Sequence, residues 1–279
     1  MHVLVTNDDG IDSPGLAVLV DAARARGHDV VVAAPAREYS GASASLHGAE
    51  DDGALRVEDR RPPGVAPEVP TFAVHASPAL IAYYAAFGAF GPRPELVLSG
   101  VNRGQNTGHL VLHSGTAGAA LAGALHAIPG VAVSLASSDP QHWGTAGAVL
   151  APMLAWTEQH PLPDRVLNLN VPDLPPDRVR GLRPAPLARL GAVQAAVDRT
   201  EGLLRLTYAD VETFAGADAV PDEEIDPDAP APQGGPRTDA VLLAHGWATL
   251  TVLRSPAFDT DVALPSWDGA APSDGPGDR

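Results

Sequence analysis

Short apolar runs alternate with amphipathic stretches from the first residues of the chain. Residues 2–6 (HVLVT) are an apolar run that predicts a buried strand. A loop follows, and then Ser13 and Pro14 are typical of a helix start, with serine as the cap and proline at the first helical position. Gly27 ends that helix before residues 29–35 (DVVVAAP), which predict a second strand. Such short connections favour two parallel strands joined by a helix.

The same pattern recurs further along the chain. Residues 95–100 (ELVLSG) predict a strand, residues 116–127 (TAGAALAGALHA) a helix, and residues 130–135 (GVAVSL) another strand. An amphipathic helix is predicted at about 144–159, followed by a strand at 165–172 (RVLNLNVP). Strands that alternate with helices in this way predict an α/β fold with a doubly wound, mainly parallel sheet.

Two stretches depart from this alternation. Residues 48–70 are rich in glycine, proline and charge, and their short strand-like pieces predict a projecting β-hairpin. Residues 210–237 are acidic and proline-rich, which favours a long surface loop or disorder. Residues 241–253 (VLLAHGWATLTVL) then predict a helix, a turn and a strand that returns to the core.

These patterns predict a single α/β domain over residues 1–254, with its core at about 1–172 and a disordered tail at 255–279. We expect the portion from about 175 to 254 to lie largely outside the sheet and to form a subunit interface. The reason is that its apolar segment needs burial while the residues on either side are polar.

Composition narrows the functions that this chain can have. The formal net charge is −16, and all 18 basic residues are arginines, so a surface for a nucleic-acid polymer is not expected. Without lysine, the phosphate-binding loop of nucleoside triphosphatases cannot form. Without cysteine, disulfides, thiolate metal sites and cysteine nucleophiles are excluded. No stretch is apolar for long enough to predict a membrane helix, so we expect a cytoplasmic protein that does not bind membranes.

Polar side chains follow three of the predicted strands. Asp8 and Asp9 follow the first strand, Ser40 the second and Asn102 the third. Ligands of open α/β sheets bind at the carboxyl ends of the strands, and these side chains offer the oxygen ligands that a hard divalent cation such as Mg²⁺ or Mn²⁺ prefers. The alternative interpretation is a solvated Asp-Asp-Gly turn, with Ser40 and Asn102 in turn or helix-cap roles.

A second candidate site lies where a later helix begins. Ser114, Gly115 and Thr116 occupy the expected first turn, where free amides and the helix dipole favour an anion. The alternative is an ordinary Ser/Thr cap. A phosphate here, beside the predicted cation, would fit phosphoester hydrolysis by a metal-activated water.

Five stretches together resemble a known family. In order and spacing, VLVTNDDGIDSPGL, APAREYSGAS, LVLSGVNRGQN, HSGTAGAA and LNLNVP are similar to the SurE family of stationary-phase survival proteins, which are 5′/3′-nucleotidases. The similarity covers about residues 1–172 and resumes at TDAVLLAHGWATLTVL.

The resemblance implies a Rossmann-like core, one divalent metal ion (Mg²⁺ or Mn²⁺) per subunit, and hydrolysis of nucleoside 5′- and 3′-monophosphates to nucleoside and phosphate. It also implies a homodimer or homotetramer that exchanges C-terminal elements. Asp8 and Asp9 would be the catalytic residues, with Asp9 favoured as the acceptor of the water's proton. The implied metal ligands are Asp8, Asp9, Ser40 and Asn102, and the implied phosphate contacts are Asn106, Ser114, Gly115 and Thr116.

The chain departs from the family pattern in three places, one of which is the divergent segment 210–237. Residues 76–82 (ASPALIA) lack an acidic residue that the family commonly has, and His109-Leu110 stands where an acidic pair is common. His109 and His113 are four residues apart but lack the glutamate of a zinc-binding His-Glu-x-x-His helix. We therefore expect them to line the substrate pocket or to have structural roles, with His109 a candidate proton donor to the leaving group. Arg37 and Arg103 stand beside strand ends where either could meet a phosphate.

Three other classes of protein are alternatives to a nucleotidase. A sugar-nucleotide glycosyltransferase would explain RGHDVVVAAP, but residues 180–279 are too short and irregular for its second α/β domain. An aspartyl-phosphate phosphatase needs one residue between its aspartates and a lysine elsewhere. A non-catalytic nucleotide-binding protein would not need a set of four metal ligands.

Overall fold

The computed structural model describes residues 1–51, 54–160, 162–189, 193–200, 203–210, 225–231 and 235–256. The strands are β1 (His2–Thr6), β2 (Asp29–Pro35), β3 (Glu50–Asp51), β4 (Ala54–Leu55), β5 (Val57–Glu58), β6 (Thr71–Val74), β7 (Leu96–Arg103), β8 (Gly130–Leu135), β9 (Arg165–Val171), β10 (Leu182–Pro184), β11 (Val193–Thr200), β12 (Leu203–Asp210) and β13 (Ala248–Arg254). The helices are α1 (Gly15–Arg24), α2 (Pro78–Ala86), α3 (Gly115–Ala124), α4 (Trp143–Gln159) and α5 (Asp239–Ala244), with 3₁₀ segments at Gly108–His113 and Pro176–Arg178.

Nine of the described strands form one twisted sheet in the order β10-β13-β9-β8-β7-β1-β2-β6-β5. The five central pairings, from β9 across to β6, are all parallel, whereas β5–β6 and β13–β9 are antiparallel. The expected α/β fold with a mainly parallel sheet is therefore confirmed. Separate two-stranded pairs are formed by β3 with β4 and by β11 with β12.

Helices cover both faces of the sheet. On one face α1 and α4 pack on the core that includes Val3, Val5 and Leu98, and on the other α2 and α3 cover Leu4 and Val97. Side chains of a strand alternate between its two faces, so the neighbouring residues of β1 and of β7 divide between the two cores. Both faces of the central strands are apolar because both are covered.

The strand order reverses between β1 and β7. The chain passes from β1 to β2 and β6 on one side, and then returns to place β7, β8 and β9 on the other side. Such a reversal opens a crevice at the carboxyl ends of the two strands, and it is the place where open α/β sheets bind ligands.

The local predictions are mostly confirmed, with two corrections. Helix α1 begins at Gly15 and not at Pro14, and the Ser13 hydroxyl accepts a long hydrogen bond of 3.4 Å from the Gly15 amide. Strand β6 and helix α2 were not predicted. The sequence of α2 (PALIAYYAA) is apolar on nearly every side because it is a buried helix, so it lacks the periodic polar face that marks an amphipathic one. The stretch predicted to form a projecting hairpin contains the antiparallel pair β3–β4, but its β5 joins the main sheet beside β6.

The expectation that the C-terminal portion lies largely outside the sheet is wrong for its apolar segment. Strand β13 pairs along its length with β9, from Thr249 opposite Asn170 to Arg254 opposite Arg165. The open edge of β9 offers a row of backbone donors and acceptors, and β13 satisfies them within the same chain. Most of residues 210–237 and the tail at 257–279 fall outside the described residues. In the part of the chain that the structure does describe, no helix has the length and apolar character needed to cross a membrane.

Candidate active site at the edge of β1 and β7

The loop after β1 is folded by its own side chains. Asn7 is fully buried, and its side chain donates to the Gly10 carbonyl at 2.9 Å and accepts from the Gly10 amide at 3.1 Å. Gly10 has φ +98°, and a side chain there would meet the backbone of Arg37 at 3.1 Å. This tight turn holds Asp8 and Asp9 at the crevice between β1 and β7.

Asp8 is buried against the start of α3. Its side-chain oxygen Oδ1 accepts a hydrogen bond of 2.5 Å from the Thr116 hydroxyl, and the residue is only 4% exposed. Gly115 lies directly over the same carboxylate, since a Cβ there would be 2.8 Å from Oδ2. The Asp8 carbonyl accepts from the Tyr39 amide at 2.8 Å, which brings the loop after β2 to the same place.

Asp9 is paired with Arg103 at the end of β7. The Asp9 side chain is 3% exposed; Oδ1 lies 3.3 Å from the Arg103 Nε, and Oδ2 accepts from the Arg103 amide at 3.3 Å. The Arg103 side chain is 43% exposed and can therefore reach solvent beyond the pair. The sequence placed Arg103 near this edge but did not predict its contact with Asp9.

Burial makes both carboxylates reluctant to ionise. Burial raises the pKa of Asp8 to about 6; the Thr116 hydrogen bond opposes this effect, and the neighbouring charge of Asp9 adds to it. Burial also raises the pKa of Asp9, against the opposing influence of Arg103. A bound cation would offset the cost of burying two adjacent negative charges.

The raised pKa of Asp8 predicts that this group destabilises the metal-free fold at neutral pH. The folded protein keeps the Asp8 proton up to pH of about 6, whereas the unfolded chain loses it near the ordinary value of 3.8. The stabilisation that the Asp8 proton gives to the folded protein is thus complete below pH 3.8, and it is lost as the pH rises through about 6. We expect Asp8→Asn to raise the free energy of unfolding by on the order of 1–3 kcal/mol at pH 8 in EDTA, and by almost nothing at pH 4.

Urea unfolding from pH 4 to pH 8 measures this difference. The matched control is Asp21→Asn, which removes the same charge from an exposed position of α1. An Asp8→Asn protein that is less stable than the wild type at pH 8 would contradict the prediction.

The segment predicted to bind phosphate does begin a helix. Ser114 is the N-cap of α3, and its side-chain oxygen accepts from the Ala117 amide at 3.0 Å. Helix geometry leaves the amides of the first turn, at Gly115 and Thr116, without partners inside the helix. The Thr116 hydroxyl, however, is directed to Asp8. Ser114 is therefore the predicted cap, and because its own amide donates to the Val111 carbonyl at 3.1 Å, the predicted anion site would rest on the amides of Gly115 and Thr116.

Ser40 and Asn102 lie near the aspartates in the chain path, but their side chains bond elsewhere. The Ser40 hydroxyl donates to Glu38 at 2.6 Å, and the Asn102 amide donates to the Gly104 carbonyl at 2.8 Å. Each is next in sequence to a residue that bonds an aspartate, since Tyr39 contacts Asp8 and Arg103 contacts Asp9. Their joint contact with one cation thus stays a prediction.

Asn106 is fixed by a buried polar network on β8 and β9. Its side chain donates to Ser134 at 2.9 Å, and its amide donates to the Asn170 side chain at 2.7 Å. Its carbonyl accepts from Asn168 at 2.8 Å and from Asn170 at 3.1 Å. The asparagines of LNLNVP therefore hold the loop that carries Asn106, a role that the sequence alone did not indicate.

The possible metal ligands at the carboxyl ends of β1 and β7 are oxygen atoms, some of them charged and some neutral. Within the described ranges, no group of three or more His, Cys, Asp or Glu residues is placed to hold a metal ion. A cation here would bind Asp8 and Asp9 together with neutral oxygens, which is the set expected from the sequence. His109 and His113 are exposed on the 3₁₀ segment and are not on one α-helix.

A cavity of about 600 Å³ lies at the opposite end of the strands from the candidate site. It is lined by residues at the amino ends of the strands, among them His2, His28 and Phe90. Because open α/β sheets bind ligands at the carboxyl ends, we assign the candidate site to the β1–β7 edge.

Comparison with known proteins gives a consistent result. The family model described as "Survival protein SurE" matches residues 3–195. A protein of Methylococcus capsulatus named "5′-nucleotidase SurE" is 39% identical over 193 residues, which cover 69% of this chain and 71% of that protein. A protein of the same name from Xanthomonas euvesicatoria is 33% identical over 286 residues and covers 99% of this chain and 100% of the relative.

Among solved structures, the SurE protein of Aquifex aeolicus shares the fold. Its TM-score is 0.72 at 23% sequence identity, and the match covers 94% of this chain and 96% of that one. The likeness extends beyond the central strands to nearly the whole chain.

Proposed function

This chain belongs to the SurE family, and from that membership we propose that it is a 5′-nucleotidase, a phosphoric monoester hydrolase that cleaves nucleoside monophosphates to nucleoside and phosphate. The observation that carries the proposal is the contact of Asp8 with Thr116 and Gly115. This contact joins a pair of buried carboxylates to the first turn of a helix. The proposed cation site and the proposed anion site would therefore adjoin, as hydrolysis of a phosphate ester requires.

The residues present fit a divalent cation. Asp8 and Asp9 are buried and adjacent with raised pKa values, and a bound cation would offset the cost of keeping both carboxylates charged. We propose that Asp8, Asp9, Ser40 and Asn102 hold one Mg²⁺ or Mn²⁺ ion. When bound, the cation would neutralise phosphoryl oxygens and acidify a water molecule.

The rest of the site binds and orients the substrate. The amides of Gly115 and Thr116, at the positive end of the α3 dipole, would receive the phosphate, with Ser114 and Asn106 at their side, since the Ser114 amide itself donates to the Val111 carbonyl at 3.1 Å. Asp9 would accept the proton of the attacking water, since its partner Arg103 is exposed and can turn toward the phosphate instead. No lysine is available, so these amides and the cation, helped by Arg103, would stabilise the charge of the transition state.

Family membership also supports proposals on the oligomeric state and the cellular location of the protein. We propose a homodimer or homotetramer in the cytoplasm, joined through the 175–254 portion. Although β13 is buried in its own sheet, Val241 and Val252 of this portion are 40% and 55% exposed, and a partner subunit would cover them.

The first experiment is phosphate release from nucleoside 5′- and 3′-monophosphates with Mg²⁺ or Mn²⁺. We expect release of phosphate and nucleoside, loss of activity in EDTA, and recovery when the ion is added back in excess. The control is the same protein with a nucleoside that carries no phosphate. Binding of nucleotides without turnover under every metal would instead indicate a non-catalytic nucleotide-binding protein. Transfer of a sugar from a nucleotide sugar would indicate a glycosyltransferase.

A further inference from the structure

The loop between Asn106 and Ser114 depends on distant anchors for its position. It joins the proposed phosphate contacts, yet four residues of its 3₁₀ segment are exposed, namely His109, Leu110, Leu112 and His113. Exposed side chains cannot fix a loop by packing. At its end the loop is held by Ser43, which donates to the carbonyls of Leu112 and His113 at 2.6 and 3.2 Å. Its buried start is Thr107 and Gly108, and the contacts made there fix how the loop leaves Asn106.

The Gly108 amide is held by Asp239, a fully buried residue at the start of α5. Oδ2 of Asp239 accepts from the Gly108 amide at 2.8 Å, and Oδ1 accepts from the amides of Ala188 at 2.9 Å and Ala240 at 2.8 Å. The Ala188 carbonyl in turn accepts from the His109 amide at 3.0 Å. One carboxylate therefore connects three separate parts of the chain.

This arrangement is more than a helix cap. Of the three donors to the Asp239 side chain, only Ala240 belongs to its own helix, and the Gly108 amide lies 131 positions away in sequence. Burial raises the pKa of Asp239, and the backbone donors lower it, so the site bears an energetic cost that the hydrogen bonds offset. Within the described residues, no arginine or histidine forms an ion pair with this carboxylate.

We propose that Asp239 is a positioning residue for phosphate: it fixes Gly108, and through Gly108 it sets the separation between Asn106 and the first turn of α3. This inference rests on the proposed phosphate site. Asp239 does not touch the substrate, so its effect should appear in binding of the phosphoryl group and not in binding of the cation.

The test is Asp239→Asn in the full chain. The asparagine keeps the shape but turns one acceptor into a donor, so either Gly108 or Ala188 faces an amide group that cannot accept. We expect the Kd of inorganic phosphate, measured by calorimetry in Mn²⁺, to rise about 10-fold or more. The KM for nucleoside monophosphate should rise in parallel, with a smaller change in kcat. The Kd of Mn²⁺ itself should stay within about twofold, and hydrogen exchange should quicken at residues 107–109.

The matched control is Asp173→Asn. Asp173 is also a buried carboxylate that accepts backbone amides, from Gln141 and His142, but it serves α4 on the opposite face of the sheet. We expect this control to lose stability and keep its phosphate affinity. If Asp239→Asn does not fold, Asp239→Glu keeps the charge and displaces the acceptor by one methylene, with the same shifts expected in smaller measure.

The outcomes separate the two proposals. A wild-type protein that releases no phosphate overturns the nucleotidase proposal. An active wild type, with a folded Asp239→Asn or Asp239→Glu variant that binds phosphate as tightly as the wild type, overturns the role of Asp239. Equal loss of phosphate affinity in Asp173→Asn would show that general destabilisation is the cause, and would overturn it as well.

Discussion

Replacing either Asp8 or Asp9 with asparagine should lower kcat/KM for nucleoside monophosphates by about 10³-fold or more. Each substitution removes a negative ligand from the proposed cation, whose stabilisation of charge is worth several kcal/mol, at about 1.4 kcal/mol for each factor of ten. Asn102→Ala should cost less, because it removes a neutral ligand. Steady-state kinetics across a series of Mn²⁺ concentrations would measure the loss, and for weak-binding variants activity should partly return at high Mn²⁺.

The control for both variants is Asp21→Asn, an exposed change of the same charge that should leave kcat/KM within about twofold. Asp8→Asn carries a second expectation, since the same protein should be more stable than the wild type at pH 8 in EDTA. A variant that is folded and stable yet retains full activity would exclude Asp8 or Asp9 from the site.

Adding a single methyl group at Gly115 should lower kcat/KM by about 100-fold, because displacement of reacting groups by about 1 Å can cost that much. The Cβ of Gly115→Ala would lie 2.7 Å from the Cβ of Asp8 and 2.8 Å from its Oδ2, so the carboxylate or the helix must move. The displacement also strains the Thr116 hydrogen bond, since Thr116 is the next residue. Kinetics and thermal unfolding would both register the change.

Gly144→Ala is the matched control for this substitution. Gly144 lies in the first turn of α4, and a Cβ there would meet nothing within 4 Å. We expect it to leave activity unchanged and to stabilise the fold by about 0.4–1 kcal/mol, because alanine restricts the unfolded chain. Equal activity of Gly115→Ala and the wild type would mean that the first turn of α3 does not border the reaction.

The sequence allowed us to predict that the site lies at the carboxyl ends of the strands, but not which side chains contact each other there. Asp8 and Asp9 follow an apolar strand, and parallel strands bring their carboxyl ends together, so their general place follows from periodicity. The Asp8–Thr116 hydrogen bond could not be foreseen, because it spans 108 positions and depends on how closely α3 approaches β1. Ser114 was predicted as a helix start because capping is a local property of the chain.

Long-range pairing also explains the error on the C-terminal portion. The apolar run in residues 241–253 correctly indicated that this segment needs burial, but an apolar run does not say which surface provides it. Strand β13 finds the edge of β9, and that choice depends on backbone groups that no local pattern reveals. The contacts of Asp239 could not be predicted for the same reason, since its partners Gly108 and Ala188 are distant in sequence.

The late position of β13 in the chain has a consequence for synthesis on the ribosome. Strand β9 is made well before its neighbour, and at about 5–20 residues per second the segment up to β13 takes roughly 4–15 seconds to emerge. During that interval the edge of β9 is open to pairing with other nascent chains, as is any unpaired edge strand. Asp239 emerges in the same period, so the Gly108 amide gains its carboxylate partner only near the end of translation, whereas the asparagines of β9 that hold Asn106 are made earlier. A chaperone that binds exposed strand edges should therefore act on this protein in the interval between β9 and β13. Ribosome-bound chains arrested before residue 239 should lack the Asp239 anchor of the proposed phosphate site, even though the proposed metal ligands have already been made.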